Sequence, residues 1–311
     1  MGIFGSNYEN AGSGIAKNAP KKKGILRFFE LYFRKFWKII EVNMLYSLFF
    51  IPVLIGIYAF LNVSNPAILI SLELICAASF VMTIGPATAA MFKILRNYTL
   101  EKHAFIFSDF KECFTKNFKK SCVIGIIDVV MTVSILSGMK VYPQLMSLYG
   151  KALVIPFIIS ISVAIVVSMM SFYAYLMVVA ADLSFKNVVK NSFVLSCVAL
   201  KKNLLTLVIS FIMAAVPAFL ILRVNMSFMF LLPLAPASII GFVVCFNTYP
   251  VIQKYVINPY YEQKGEVNPE LESYSSENAE VLFEDRGGKE APIKKSKKSE
   301  KKYKSKGKTI S

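Results

Sequence analysis

The sequence predicts an all-α membrane protein, with six transmembrane helices, cytoplasmic interfacial amphipathic helices, and an arrangement in three helical-hairpin repeats. Two observations carry the first part of that expectation. Of 311 residues, 56% are hydrophobic and only 17% charged, with a mean hydropathy of +0.56. The charges are gathered between apolar runs of roughly 20 residues, long enough to cross a hydrocarbon core of about 30 Å at about 1.5 Å per residue. A water-soluble globule is excluded.

Taken in order, the chain divides into a flexible N-terminal segment (1–23), an interfacial amphipathic helix (24–41), a six-helix membrane domain (42–264) and a cytoplasmic tail expected to be disordered (265–311). In the interfacial helix Ile25, Phe28, Phe29, Tyr32, Phe36, Ile39 and Ile40 recur at helical spacing, with Arg27, Glu30, Arg34, Lys38 and Glu41 opposite. Such a helix lies in the headgroup plane. The six expected spans are Val42–Leu61, Pro66–Phe92, Ser121–Met139, Ala152–Ala181, Asn203–Leu222 and Met226–Gln253. The first stands too far from the start, and is too long, for a cleavable signal peptide.

Orientation follows from the basic residues, which flank spans on the cytoplasmic side. Eight precede span one, seven follow span two and four follow span four, whereas the three intervening loops hold none, two and one. An even number of spans with both termini inside accounts for this alternation, and with it for most of the formal charge of +16. No nucleic acid is expected at the membrane domain; the bilayer is the partner.

Two further amphipathic stretches precede spans three and five. Phe107, Phe110, Phe114 and Phe118 share one helical face, with Ser108 placed as an N-cap. The other runs from Ser184 through Phe185, Val188, Val189 and Leu195 to Lys202. Each odd span is thus entered through a basic, Asn-containing step: Phe33-Arg34-Lys35-Phe36-Trp37-Lys38 with Asn43, Phe114-Thr115-Lys116-Asn117-Phe118-Lys119, and Lys201-Lys202-Asn203. This pattern underlies the expectation of three units.

Thr83-Ile84-Gly85-Pro86-Ala87-Thr88-Ala89-Ala90, followed by Phe105, Ser108-Asp109-Phe110 and Lys116-Asn117-Phe118-Lys119, resembles the signature of the YesL-like family, a bacterial domain of unknown function; so does Met1-Gly2-Ile3-Phe4-Gly5 leading to Phe36-Trp37. The resemblance implies a multi-pass protein of the bacterial inner membrane, from a family whose genes often neighbour carbohydrate uptake and degradation systems. It implies no activity and no catalytic residues. The bacterial likeness makes chance matches of the myristoylation pattern at Met1–Ser6 and of the glycosylation patterns at Asn62-Val63-Ser64 and Asn225-Met226-Ser227.

Glu73 and Asp128 are the only charged residues within the expected spans, and intramembrane acids mark functional sites. At helical rise they differ in depth by roughly 10 Å, which speaks against one shared site. Asp182, at the end of span four, reads as solvated. Gly85 and Ala89 form a small-residue pair for helix packing, and the span prolines read as kinks. The five cysteines, odd in number and without CxxC spacing, are free thiols, and the single histidine, His103, supports no metal cluster. No catalytic motif, cofactor or metal is expected. The tail carries eight acids over 265–290 and nine lysines over 291–311, a composition suited to anionic lipid contact. The leading expectation is a non-enzymatic accessory or regulatory protein associated with carbohydrate uptake, docking a transporter or glycan-processing membrane component through Phe105, Asp109, Phe110, Asn117 and Phe118. The alternative is a small permease or substrate-binding subunit using Glu73 and Asp128.

Overall fold

The computed structural model describes residues 24–234 and 236–270; all but the last two lie in one compact unit, Lys22–Asn268. The expected flexible N-terminus, and the acidic-then-Lys-rich tail beyond residue 270, lie outside the described residues. Among the described residues every regular element is helical. Six segments are long and apolar enough to cross a membrane: Phe36–Asn62, Pro66–Thr99, Phe118–Tyr149, Lys151–Ala180, Leu200–Val224 and Ser227–Lys264. The six-span, all-α architecture read from the sequence is therefore the one observed.

The interfacial helices are α1 (Gly24–Arg34), α5 (Ile106–Lys116) and α8 (Phe185–Val198). Each passes into a span helix through one residue: Lys35 before α2 (Phe36–Ser47), Asn117 before α6 (Phe118–Tyr149) and Ala199 before α9 (Leu200–Phe219). The first interfacial helix is thus shorter than the expected 24–41, because Phe36 already opens the span.

The three break residues have nearly the same backbone, with φ/ψ of −112/13, −101/9 and −102/31 degrees. This is the sparsely populated bridge region, which ends one helix while letting the next begin. In each case the break carbonyl accepts the amide four residues on, Ile39, Ser121 or Asn203, at 3.0 Å. Bilayer hydrocarbon supplies no hydrogen bonds, so a break survives only where its backbone groups find such partners.

The breaks recur at equal intervals of 82 residues (117 − 35 and 199 − 117). In this register Leu31, Cys113 and Leu195 coincide and are all buried, as are Ile39, Ser121 and Asn203, and Val42, Ile124 and Thr206. The expected three units are present, but the asparagines of the sequence motif are not equivalent: Asn117 is a break, Asn203 lies four residues past one and Asn43 eight. Helix geometry and buried positions repeat, while the side chains that satisfy them differ.

The returning helices are α4 (Pro66–Thr99), α7 (Val154–Ala180) and α11 (Pro236–Ile252), the last preceded by a short α10 (Leu231–Leu234). These three pack on one another, and their C-terminal halves hold most of the core. Arg96 of α4 lies over the Tyr249 ring of α11 at 5.2 Å. The opposite halves expose Ile68, Leu74, Ile155 and Ile158, as lipid-facing helices do. In the first hairpin, α3 (Ile51–Asn62) packs on α4.

In the sixth span Pro236 has no amide to give the Leu232 carbonyl, and fully buried Asn43 serves that turn: its Nδ2 donates to the Leu232 carbonyl at 2.8 Å and its Oδ1 accepts the Ser238 amide at 2.9 Å. Past Pro217 and Pro250 the chain widens into π turns at Leu220–Val224 and Gln253–Ile257.

The tightest crossing joins α4 to α6. A Cβ added at Gly85 would stand 2.1 Å from the Ser121 carbonyl oxygen, and one at Gly125 would stand 2.5 Å from the Gly85 Cα. Of the small pair Gly85 and Ala89, Gly85 meets both Ser121 and Gly125 of α6. Gly85→Ala is expected to lower the thermal unfolding midpoint of the detergent-solubilised protein, at a cost of about 1–3 kcal/mol for the forced separation. Gly138→Ala, whose Cβ would meet only the Tyr142 ring at 3.5 Å, serves as the control and should leave the midpoint unchanged.

Candidate functional site

Beyond Gly125 the next turn of α6 brings Asp128 against α7. Both carboxylate oxygens accept hydrogen bonds: the Ser171 hydroxyl donates to Oδ1 and the Tyr175 hydroxyl donates to Oδ2 at 2.9 Å. Ser171 and Tyr175 are four residues apart and so share one face of α7. Tyr46 of α2 and Thr88 of α4 pair through their hydroxyls at 3.0 Å. Phe92 meets the Tyr175 ring edge-on at 5.8 Å. Polar side chains of α6 and α7 thus meet within otherwise apolar helix.

Glu73 is placed differently. Its Oε2 stands 3.0 Å from where a Cβ on Gly56 would lie, so Gly56 of α3 makes room for the carboxylate. Asp128 engages α7 and Glu73 faces α3, so the two acids have different neighbours. Asp182 is exposed, 3.6 Å from Lys120 Nζ, which also donates to the Leu183 carbonyl at 2.8 Å. An exposed pair of this kind contributes little to stability.

The expected docking residues separate into two groups. Phe110 is buried and stacks on Phe49 at 5.7 Å, with Phe114 against Phe49 at 5.3 Å and Phe118 against Phe114 at 5.7 Å. This aromatic ladder fastens α5 to the first span, so Phe110 is an internal anchor and not a contact surface, and Phe118 is half-buried beside the ladder. Phe105 is exposed, and its amide donates to Asp109 Oδ2 at 3.0 Å. Phe105 is the N-cap of α5, so Ser108, expected there, lies inside the helix, which begins three residues earlier than that cap implied. Asn117 is the break residue and donates to Cys113 Sγ at 3.4 Å.

Three polar groups have partners that sequence spacing does not give. Glu101, in the left-handed region at φ 59°, takes ion pairs from Arg27 and Arg34 of α1, the latter at 2.6 Å. The signal was two arginines seven apart on one helix face. Asn203 accepts the Tyr173 hydroxyl at 2.6 Å and donates to the Leu195 and Ser196 carbonyls at 3.1 and 2.9 Å, satisfying the end of α8. Asn43 was noticed in the entry motif, but its partner lies 189 residues away. At the α5 surface Lys93 donates to Glu112 at 3.0 Å and holds that carboxyl below its usual range.

Residues 39–138 match the family model described as "Protein of unknown function, DUF624". The matched stretch runs from α2 into α6 and contains the Gly85 crossing, α5 and Asp128. No curated protein and no solved structure matches the chain. Among the described residues no group of three or more His, Cys, Asp or Glu comes together.

The thiols provide a direct check of the packing. Cys76, Cys113 and Cys245 are buried and Cys197 is exposed, and burial pushes the Cys113 thiol up, which leaves less of the reactive thiolate. A membrane-permeant maleimide is therefore expected to modify Cys197 in the folded protein, and Cys76, Cys113 and Cys245 only after denaturation, as read by mass spectrometry of the labelled peptides.

Proposed function

We propose that the protein is a non-enzymatic accessory subunit of a bacterial cytoplasmic membrane, with its basic end inside the cell, serving a carbohydrate uptake system. The basic loops support the orientation, and the YesL-like signature at 83–90 and 105–119 supports the bacterial and carbohydrate association.

The observation that carries the docking reading is a difference among equivalent helices. In the 82-residue register the exposed face of α1 presents Phe29 and Phe33, and that of α8 presents Phe193, Val194 and Val198. At the positions of Phe29 and Phe33 α5 presents exposed Lys111 and Thr115; its Glu112 and Lys116 correspond to Glu30 and Arg34 of α1 and to Val194 and Val198 of α8. Apolar outer faces suit the acyl boundary, whereas a charged one suits water. Of the three interfacial helices α5 is the one built to meet a partner from the aqueous side, with exposed Phe105 and Phe107 at its start. Exposed aromatic residues beside charged ones are characteristic of protein contact sites.

The permease reading retains one observation in its favour, the Asp128 carboxylate held by two hydroxyls within the spans. The two readings separate in one experiment. Affinity purification from the native membrane should recover a carbohydrate transporter or glycan-processing component with the intact chain, and lose it with Lys111→Glu, Lys116→Glu, a variant that leaves the aromatic ladder untouched. If no such component is recovered and liposomes bearing the protein alone show saturable solute uptake, the accessory reading fails.

A further inference from the structure

In the 82-residue register Lys38, Lys120 and Lys202 coincide, each three residues past a break. Two of them face an acid. Lys38 Nζ stands 3.1 Å from Glu41 Oε2, and Lys120 Nζ stands 3.6 Å from Asp182 Oδ1. Lys202 has no such neighbour: the chain carries no acidic residue between Asp182 and Glu262, and among the described residues neither Lys202 nor the adjoining Lys201 forms an ion pair. The place of Glu41 is taken in this unit by Leu205, which is exposed.

The surroundings of these two lysines are those of a lipid boundary and not of open water. Val198 and Leu200 before them, and Leu204 and Leu205 after them, are exposed apolar residues, which suit the acyl boundary. Trp37, whose position in the register Lys201 occupies, is exposed as well, and tryptophan at the end of a span sits at the headgroup level. A lysine at that level reaches its ammonium to the phosphates while its stem stays among apolar groups. Toward the bilayer centre Leu205, Val208 and Ile212 follow at spacings of three and four along α9, all exposed. Leu205 lies four residues from Lys201 and three from Lys202, so the apolar stripe begins on the face that carries both charges.

The geometry points to a binding site for an anionic phospholipid at the junction of α8 and α9, its phosphate held by Lys202 and Lys201 and an acyl chain lying along Leu205, Val208 and Ile212. The lipid gives the third junction the negative charge that Glu41 and Asp182 give the other two. A zwitterionic lipid offers less, because its own ammonium offsets its phosphate, and a dissolved anion makes no use of the apolar stripe. The site does not rest on the docking reading, which concerns α5.

The test uses the full-length protein in a neutral detergent, titrated with phosphatidylglycerol or with phosphatidylcholine of the same acyl chains at constant ionic strength. The thermal unfolding midpoint should rise saturably with phosphatidylglycerol, as it does for a ligand that favours the folded state, and less with phosphatidylcholine. Lys202→Gln should raise the phosphatidylglycerol concentration for half-effect about fivefold, the share of one basic residue near an anionic surface, and Lys201→Gln should act likewise. Lys38→Gln removes the same charge at the equivalent place, where Glu41 already answers it, and should change the half-effect by less than about twofold. Equal shifts in Lys38→Gln and Lys202→Gln would overturn the proposal, because the lipid would then respond to net charge alone. Equal responses to the two lipids, or the same stabilisation by inorganic phosphate, would also overturn it. So would an unchanged half-effect in both Lys201→Gln and Lys202→Gln, and loss of a co-purifying protein in those variants would then make the junction a protein contact.

Discussion

The close approach of α4 and α6 at Gly85 and Gly125 is the contact on which the rest of the bundle depends. In lipid, helices gain little from hiding apolar surface and associate through close packing and polar contacts. Two glycines facing each other let the backbones meet, with the Ser121 carbonyl beside Gly85. That approach brings α6 against the buried half of α4 and sets the depth at which Asp128 meets α7. It also holds α5, which leads directly into α6, against α4, where the ladder of Phe49, Phe110 and Phe114 completes the joint.

A second constraint is the satisfaction of backbone groups wherever a helix is interrupted. The chain meets it locally at the three breaks, where the carbonyls of Lys35, Asn117 and Ala199 each cap the following helix. It meets it over long range elsewhere, with Asn43 of the first span bonding the Leu232 carbonyl and the Ser238 amide of the sixth and Asn203 closing the end of α8. The three units therefore share a backbone plan and buried positions while using different side chains to satisfy them. This freedom lets one unit carry Asp128 where the equivalent positions hold Tyr46 and Ser210, and lets α5 carry Lys111 where α1 and α8 expose Phe29 and Phe193.

The architecture was legible in the sequence for a physical reason: crossing hydrocarbon demands about 20 apolar residues in a helix, and those runs are visible in composition alone. The amphipathic entry helices were legible because their aromatic residues recur at helical spacing. The candidate site was legible only in part. Asp128 stood out as an acid in an apolar run, yet its partners Ser171 and Tyr175 lie 43 and 47 residues away on a helix with no distinctive motif. Phe110 fell on the expected aromatic face, but a periodic pattern cannot say whether that face meets water, lipid or another helix, and Phe49 covers it.

The sequence by itself determined the class of the protein, the number of its spans and the positions of its interfacial helices, because each follows from the length and period of apolar residues along one segment. The tertiary structure alone decided the 82-residue register, the partner of Gly85, the separate neighbours of Glu73 and Asp128, and the burial of Phe110. Each of these depends on which helix lies beside which, and helix adjacency is set by close packing and hydrogen bonds between residues remote in the chain.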